Sequence, residues 1–394
     1  MRVLLVESTS QVSGAERSLL ELIRGLRAAG HDVTLAAPEG EIQRLAGAAG
    51  CRMMTIPESQ LTFKLHPRYL SAGLLAMCRT ALVLRRIVRR MRPDVVHANS
   101  TRAGLITVLA RPRAPIVVHC RDVLPDGHAG RLVRRVLLGG ADRVIAISRH
   151  VATALAGSGW SGRGVEVVDN PVDLERFDPA RIDRAAARSG LGLGPEPVLS
   201  VIAQITPWKG QDLAIRMLAE LRRTRPTARL LIAGEAKFIS AATRHDNRAF
   251  ERRLKELVDE LELAAAVAFL GERSDPECVL AATDLLLVPS EEEPFGRTII
   301  EAMAMEVPVL STAVGGPAEI IRPGRDGLLL TDRDPAVWAR AAERLLDGDA
   351  SHVPGSRDEA ARRFASATHA AAIVAVYLRA VDHAPLRARL RPEP

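Results

Sequence analysis

The sequence predicts an α/β protein built from two doubly wound parallel-sheet domains facing each other across a cleft. Three observations carry this expectation. Short apolar runs alternate with amphipathic helical stretches along the chain, the pattern of parallel strands covered on both faces. The 394 residues exceed the roughly 250 to 300 that a single hydrophobic core ordinarily holds. Between the halves, Asp178 to Pro197 is rich in Ala, Gly, Arg and Pro and has no apolar period, as a linker would. The expected layout is a first domain over 1–177, completed by a C-terminal helix over 366–390. A hinge follows over 178–197, then a second domain over 198–365.

In the first half, strands are expected at Val3–Val6, Val33–Ala37, Val95–His97, Ile116–His119 and Val144–Ile147. The run from Met1 to Val6 is too short and too polar at its flanks for a signal peptide, so it reads as the first strand. After it, Ser13-x-x-Glu16 has the form of a capping box opening a helix. That helix carries an apolar stripe of Leu19, Leu20, Ile23 and Leu26 and stops at Gly30. Gly14 lets the backbone approach a ligand closely. No G-x-G-x-x-G follows this strand, which argues against a nicotinamide-dinucleotide domain. Further on, LRRIVRRMR (84–92) sets arginines beside Leu84, Ile87, Val88 and Met91 at helical spacing, and RLVRRVLL (131–138) is a second basic stretch. Such helices suit an anionic membrane surface or an ordinary solvated face, and both readings stay open. The strand Ile116–His119 ends in His119-Cys120-Arg121-Asp122, where the histidine is either a packed residue or one reaching a ligand.

In the second half, strands are expected at Val198–Ala203, Leu230–Ala233, Val267–Leu270, Leu285–Val288 and Val307–Leu310. Directly after the first of these comes QITPWKGQD, with Lys209 and Gly210 just before a helix bearing Ala214, Met217, Leu218 and Leu221. A lysine at such a junction can neutralise a pyrophosphate. After Leu285–Val288 comes EEEPFGRTIIEAMA (291–304). Pro294 and Gly296 put Glu293 in a loop, and Thr298-x-x-Glu301 has the form of a capping box that starts a helix near Thr298. A strand, a Gly-bearing loop and a helix N-terminus form an anion site, because free N–H groups and the positive dipole end point outward.

Composition excludes several classes. The net charge is +7 and the pI about 9.8, yet aromatics make up only 3% of the chain and no stacking motif is present, so nucleic acid is not an expected partner. Cys51, Cys78, Cys120 and Cys278 are scattered without a C-x-x-C pair, which fits neither a zinc site nor a disulfide framework, and suits a reducing cytosol. No apolar run approaches the ~18 to 20 residues of a membrane span.

The segment EPFGRTIIEAMA resembles the E-P-F-G-x-x-x-x-E-A-M-A signature of glycosyltransferase family 4, whose members retain anomeric configuration and have the GT-B fold of two Rossmann-like domains. The resemblance implies that Glu293 lies by the donor sugar and β-phosphate and that Glu301 hydrogen-bonds the ribose. QITPWKG is similar to the family's G-R-L-x-x-x-K-G segment, which implies phosphate binding by Lys209. Gln204 stands where that pattern has arginine, and Arg297 is the candidate to compensate. The first loop resembles G-G-x-E with Ser13 for the first glycine. A His–acid pair of the family has its counterpart in His119, two residues early and with Arg121 before the acid. Glu306 replaces a glycine expected to turn the chain after the second helix. Ile145–Ser148, Asn170–Asp173 with Phe177, and Val314–Leu330 resemble further family segments.

Carried onto this chain, the resemblance implies catalytic roles for Glu293, Lys209 and His119. It places Gly14, Gln204, Lys209, Gly234, Glu293, Phe295, Gly296, Arg297, Thr298 and Glu301 around the donor. The implied activity is transfer of a hexosyl group from a nucleotide sugar, such as a UDP- or GDP-hexose, to a glycan or lipid-linked acceptor. No cofactor is expected, and no metal, since no Asp-x-Asp lies in a suitable loop. The setting would be cell-envelope polysaccharide or glycolipid synthesis, in the cytoplasm at the inner membrane face, with domain closure about the hinge. Gln204 and Arg121 also admit a catalytically weak sugar-nucleotide-binding or regulatory protein.

Overall fold

The computed structural model describes the chain apart from residues 59–66, 158–163, 238–245, 349–354 and 389–394. It divides into two compact units, one of Met1–Pro171 with Ser366–Pro394 and one of Val172–Ala365.

The first unit runs β1 (Arg2–Val6), α1 (Gly14–Ala28), β2 (Asp32–Ala37), α2 (Glu41–Ala48), β3 (Arg52–Thr55), α3 (Pro67–Met91) and β4 (Val95–Ala98). It continues with α4 (Thr101–Ala110), β5 (Ile116–Cys120), α5 (His128–Gly140), β6 (Arg143–Ala146), α6 (Arg149–Ala156) and β7 (Val165–Val167). The seven strands are parallel in the order β3-β2-β1-β4-β5-β6-β7. The order reverses beside β1, so right-handed crossovers put α1 and α2 on one face and α3, α4 and α5 on the other. β1, β4 and β5 are apolar almost throughout because both of their faces are buried.

The second unit runs α7 (Arg184–Gly190), β8 (Val198–Ile202), α8 (Gln211–Leu221), β9 (Arg229–Ala233), α9 (Asn247–Glu260), β10 (Val267–Gly271), α10 (Pro276–Ala282) and β11 (Leu285–Val288). Then come α11 (Arg297–Ala304), β12 (Val309–Thr312), α12 (Pro317–Ile320), β13 (Gly327–Leu330), α13 (Pro335–Leu346) and α14 (Ser356–Phe364). Its parallel six-stranded sheet has the order β10-β9-β8-β11-β12-β13, with Trp338 of α13 buried in the core against Leu218, Leu285 and Leu310. The last helix, α15 (Ser366–Ala388), returns to the first unit. There it packs on α1 and contributes Ile373, Val376, Tyr377 and Ala380 to the core.

All ten expected strands are present to within two residues. β3, β7 and β13 are additions. They are three or four residues long and occupy sheet edges, where one neighbour suffices and a long apolar run is not needed. The stretch 178–197, expected as a hinge, is packed into the second unit. α7 lies on α10, Arg184 and Arg188 pair with Asp284 at 2.5 and 3.2 Å, and Leu193 is buried with Val198, Leu231 and Val279. The chain enters and leaves this unit side by side, since Val172 bridges Ala365 in parallel and its N–H donates to Phe364 O.

Two further expectations are revised. Leu84, Ile87 and Val88 of α3 are buried, so the apolar stripe of 84–92 is spent on the unit's own core and only the arginine-bearing side faces out. Glu306, where a glycine was expected, makes the helix-to-strand turn itself by adopting φ +57°, a conformation that costs L-residues roughly 1 to 2 kcal/mol. No helix among the described residues is long and apolar enough to cross a membrane, and the four cysteines are free thiols.

Candidate functional site

In the second unit the loops that follow β8, β11 and β12 are drawn together by glycines. Gly210, at φ +70°, caps α8, and a Cβ there would lie 2.1 Å from Pro289 O. The loop after β8 is therefore pressed against the loop after β11, where Glu291 N–H donates to Trp208 O at 2.8 Å. The loop after β12 adds a third layer. Glu293 bridges Gly315, Gly316 N–H donates to Glu293 O at 2.8 Å, and a Cβ on Gly316 would meet Phe295 O at 2.2 Å. Phe295 anchors the turn in the core, edge-on to Phe364 at 6.1 Å. Gly234, at the end of β9, approaches Ala203 O so closely that a Cβ would sit 2.0 Å away.

This framework brings Lys209 and Glu293 together. Lys209 Nζ lies 2.5 Å from Glu293 Oε2, with the side chains 15% and 11% exposed. Ser290 Oγ donates to the same carboxylate oxygen at 3.2 Å, and the ammonium stands over the Trp208 ring, 4.1 Å from its centroid. α8 and α11 both begin here, after Gly210 and Gly296, so two sets of free N–H groups open at the carboxyl end of the sheet. Thus Gln204, Lys209, Gly234, Glu293, Phe295, Gly296, Arg297, Thr298 and Glu301 share one edge of one unit. The arrangement can hold an anion between the Lys209 ammonium and two helix N-termini.

The expected Thr298–Glu301 capping box is not formed. α11 starts one residue earlier than expected, at Arg297, with Gly296 at φ +100° as its cap and no side-chain cap bond. Thr298 is then inside the helix and cannot act as cap, and Glu301 instead accepts from Arg297 Nη2 at 3.0 Å. This ion pair also commits the guanidinium that was expected to replace the arginine missing at Gln204. The carbonyl of Gln204 accepts from Gln211 Nε2 at 2.9 Å.

The corresponding edge of the first unit is built differently. The Ser13–Glu16 box is present, with Ser13 N–H donating to Glu16 Oε2 at 2.8 Å, and Gly14 is the first residue of α1. His119, expected near a reacting sugar, lies inside β5 and is fully buried. It sits between His97 and His369, at ring distances of 5.4 and 6.2 Å, and His97 is hydrogen-bonded to Tyr377 at 2.8 Å. Burial first, then the charge of Arg121, holds the His119 imidazole well below the ordinary histidine range. The same causes, joined by His369, push His97 down to about 3. These rings fill a polar pocket within the core, so the structure gives His119 the surroundings of a packed residue.

Sequence reasoning singled out Arg121 and Asn170 but missed Glu7, Asn99 and the network that joins them at that edge. Glu7, Asn99 and Arg121 are the first residues beyond β1, β4 and β5, and all are buried. The Glu7 carboxylate accepts from Ser8 N–H at 2.6 Å and from Asn99 Nδ2 at 2.7 Å. Asn99 Oδ1 accepts from Arg121 Nη2 at 2.7 Å, and Arg121 Nη1 donates to Asn170 Oδ1 at 2.7 Å. Burial and then the charge of Glu16 push Glu7 up to about 7, against the hydrogen bonds of Asn99 and Ser8 and the charge of Arg121. The available signal was positional: a polar residue immediately after an apolar strand, repeated on adjacent strands. Among the described residues no cluster of three or more His, Cys, Asp or Glu could hold a metal ion. A cavity of about 560 Å³ lies at the opposite, amino-terminal ends of the second sheet's strands, lined by Arg184, Asp284, Glu306 and Pro308. It is remote from the Lys209–Glu293 pair, and the chemistry resides in the pair.

Comparison with known proteins agrees with this layout. Residues 183–367 match the profile of the glycosyl transferases group 1, and residues 12–176 match that of glycosyltransferase family 4. The D-inositol 3-phosphate glycosyltransferase of Nocardia farcinica (strain IFM 10152) is 34% identical over 289 residues, 68% of this chain and 62% of that protein. The chain thus spans less than two thirds of that relative's length. The protein of the same name from Mycolicibacterium gilvum (strain PYR-GCK) is 31% identical over 309 residues, 74% of this chain and 67% of its own. Among solved structures, Anabaena Alr3699/HepE in complex with UDP-glucose superposes with a TM-score of 0.81 at 24% identity, over 95% of this chain and 99% of that one.

Proposed function

The chain belongs to glycosyltransferase family 4, the glycosyl transferases group 1, and we propose that it moves a hexosyl group from a nucleotide-sugar donor to an acceptor with retention of configuration. The observation that carries this reading is the Lys209–Glu293 pair, 2.5 Å apart at an edge where two helices begin. Glu293 neutralises Lys209 in this pair. A donor diphosphate takes the ammonium over, and Glu293 is then released toward the sugar. In the transfer, the bond from the anomeric carbon to the β-phosphate oxygen breaks and its electron pair leaves with the nucleoside diphosphate. The acceptor hydroxyl oxygen bonds that carbon, and the hydroxyl proton goes to the departing phosphate. Charge therefore grows on the diphosphate, where Lys209 and the N-termini of α8 and α11 stabilise it. Glu301 reaches the ribose, and the reaction proceeds without a metal.

The acceptor in this reading is a glycan or lipid-linked sugar of the cell envelope, met by the first unit at the inner face of the membrane. The curated relatives are named for D-inositol 3-phosphate, so that small polyol phosphate is the acceptor to test beside it. A second reading has its own support. Gln204 supplies no charge and Arg297 is tied to Glu301, which leaves Lys209 as the cation on the phosphates, as would suit a sugar-nucleotide-binding protein with weak catalysis. Slow hydrolysis of donor without acceptor, followed by nucleoside diphosphate release, separates the two. Turnover that Lys209→Ala abolishes supports the transferase; donor binding with no turnover, with or without either acceptor, supports the binding protein.

A further inference from the structure

Glu306 stands where the family pattern has a glycine, and donor binding gives it no task. It is exposed, holds its backbone at φ +57° and forms no ion pair among the described residues. Arg92, Arg111 and Glu262 make similar left-handed turns. Of these four residues, only Glu306 lines the cavity of about 560 Å³ at the amino-terminal ends of the second sheet's strands. Parallel strands linked by helices gather helix N-termini at their carboxyl edge and helix C-termini at the opposite one. Here α10 and α13 end in the cavity wall with Leu280, Ala281, Leu345 and Leu346, and Met305 directly follows α11. The negative ends of three helix dipoles therefore converge on this space. One of the protein's own cations already uses them: Arg184 Nη1 donates to Ala281 O at 2.9 Å and to Thr283 O at 3.0 Å.

We propose that this cavity is a second ligand site, which takes a small organic cation, an ammonium on an apolar body, with Glu306 as its counter-ion. The charges of the wall decide the sign. Arg184 is paired with Asp284 at 2.5 Å, and Arg225 is paired with Asp347. Among the described residues, the Glu306 carboxylate is then the lining charge left without an ionic partner. An anion would meet helix carbonyls and four prolines, which have no N–H to offer it. The apolar part of the ligand follows from Leu280, Met305, Leu345 and Leu346, and the volume lies within the roughly 300 to 1,000 Å³ of small-molecule sites. An ammonium there gains a charge-assisted hydrogen bond while its apolar body leaves water. The strained turn of Glu306 is what sets the carboxylate at that wall. The site lies at the far end of α11 from the donor edge and stands independently of the donor reading.

The test is titration calorimetry of the full chain with 2-phenylethylammonium. The controls are 3-phenylpropionate, an anion of like size, and ethylammonium, the cation without the ring. Saturable binding of 2-phenylethylammonium is expected, with ethylammonium at least about tenfold weaker and no binding of the anion. Glu306→Gln should weaken the phenylethylammonium about tenfold. Glu306→Gly should weaken it as much, although glycine relieves the turn. Lost affinity with an unchanged or higher melting temperature is then loss of the ligand's partner and not unfolding. Wild-type affinity in either variant overturns the proposal, as does equal binding of the anion or no saturable binding to the wild type. A nucleotide sugar that binds the chain should leave the amine's affinity unchanged. Competition between the two would put the amine on Glu293 and overturn the second site.

Discussion

Both sheets are parallel and are followed by helices after their strands, yet their carboxyl edges have opposite characters. At the second edge three glycine-bearing loops hold the Lys209–Glu293 ion pair, whose members keep some exposure and which a ligand phosphate can take apart. At the first edge Glu7, Asn99, Arg121 and Asn170 form a buried chain in which neutral amides separate the charges. A pair open to exchange serves binding and catalysis. A buried charge spread through amides is costly to disturb and ties strand ends together. The fold type is common to both, so the loops after the strands decide which character an edge has.

Substitution can break this contrast from either side. The largest expected effect is on turnover: Lys209→Ala should lower kcat by about a hundredfold to a thousandfold, because it removes the cation from the leaving diphosphate. Gln204→Ala should cost only a few-fold, and equal losses in steady-state assays would mean that the phosphates lie elsewhere. Arg121→Leu should do the reverse in kind. Removing one member of a buried charge network costs about 3 to 5 kcal/mol, read as a lowered stability in denaturant unfolding. If Arg121→Leu folds with wild-type stability, the first edge is not the rigid platform described.

Much of this contrast was legible before the structure. The strands were, because each buried parallel strand is a short apolar run, and the second edge was, because its glycines and carboxylates stand at fixed distances after those runs. The first edge was not. Glu7, Asn99 and Arg121 lie 92 and 22 residues apart in sequence and become neighbours only through sheet order, which local pattern does not encode. His119 misled for the same reason. It was placed on the right strand, but the strand runs one residue further, to Cys120, and its surroundings include α15, which returns from the far end of the chain with His369 and Tyr377. Thr298 misled through a one-residue shift in helix start, set by the left-handed conformation of Gly296.

The pH dependence of stability sharpens the comparison further. Glu7 is raised from 4.5 to about 7, so its contribution is present below pH 4.5 and lost as pH rises through 7, a change of about 3 kcal/mol at most. Glu7→Gln should remove that downward slope between pH 5 and 8 in melting-temperature series, whatever it does to the absolute value. An unchanged slope would show that Glu7 is already ionised throughout. His97, lowered to about 3, acts in the other direction, its neutral form costing stability as pH falls from 6.5 toward 3. The smallest expected effect lies away from both edges. Glu306→Gly should raise stability by about 1 kcal/mol, because glycine adopts the left-handed turn without strain. A loss on calorimetric unfolding would show that the glutamate side chain compensates for its backbone.

The central claim, that the second edge is the donor site, is tested most directly by titration calorimetry. The ligand is the nucleotide sugar that most raises the melting temperature in a panel, titrated into the wild type and Glu301→Ala. A wild-type stoichiometry of one is predicted, with affinity about tenfold to a hundredfold weaker in the variant as a charge-assisted hydrogen bond of about 1.5 to 3 kcal/mol is lost. Unchanged affinity in a variant that has only a lower melting temperature would contradict the account, leaving Glu301 as nothing more than the partner of Arg297.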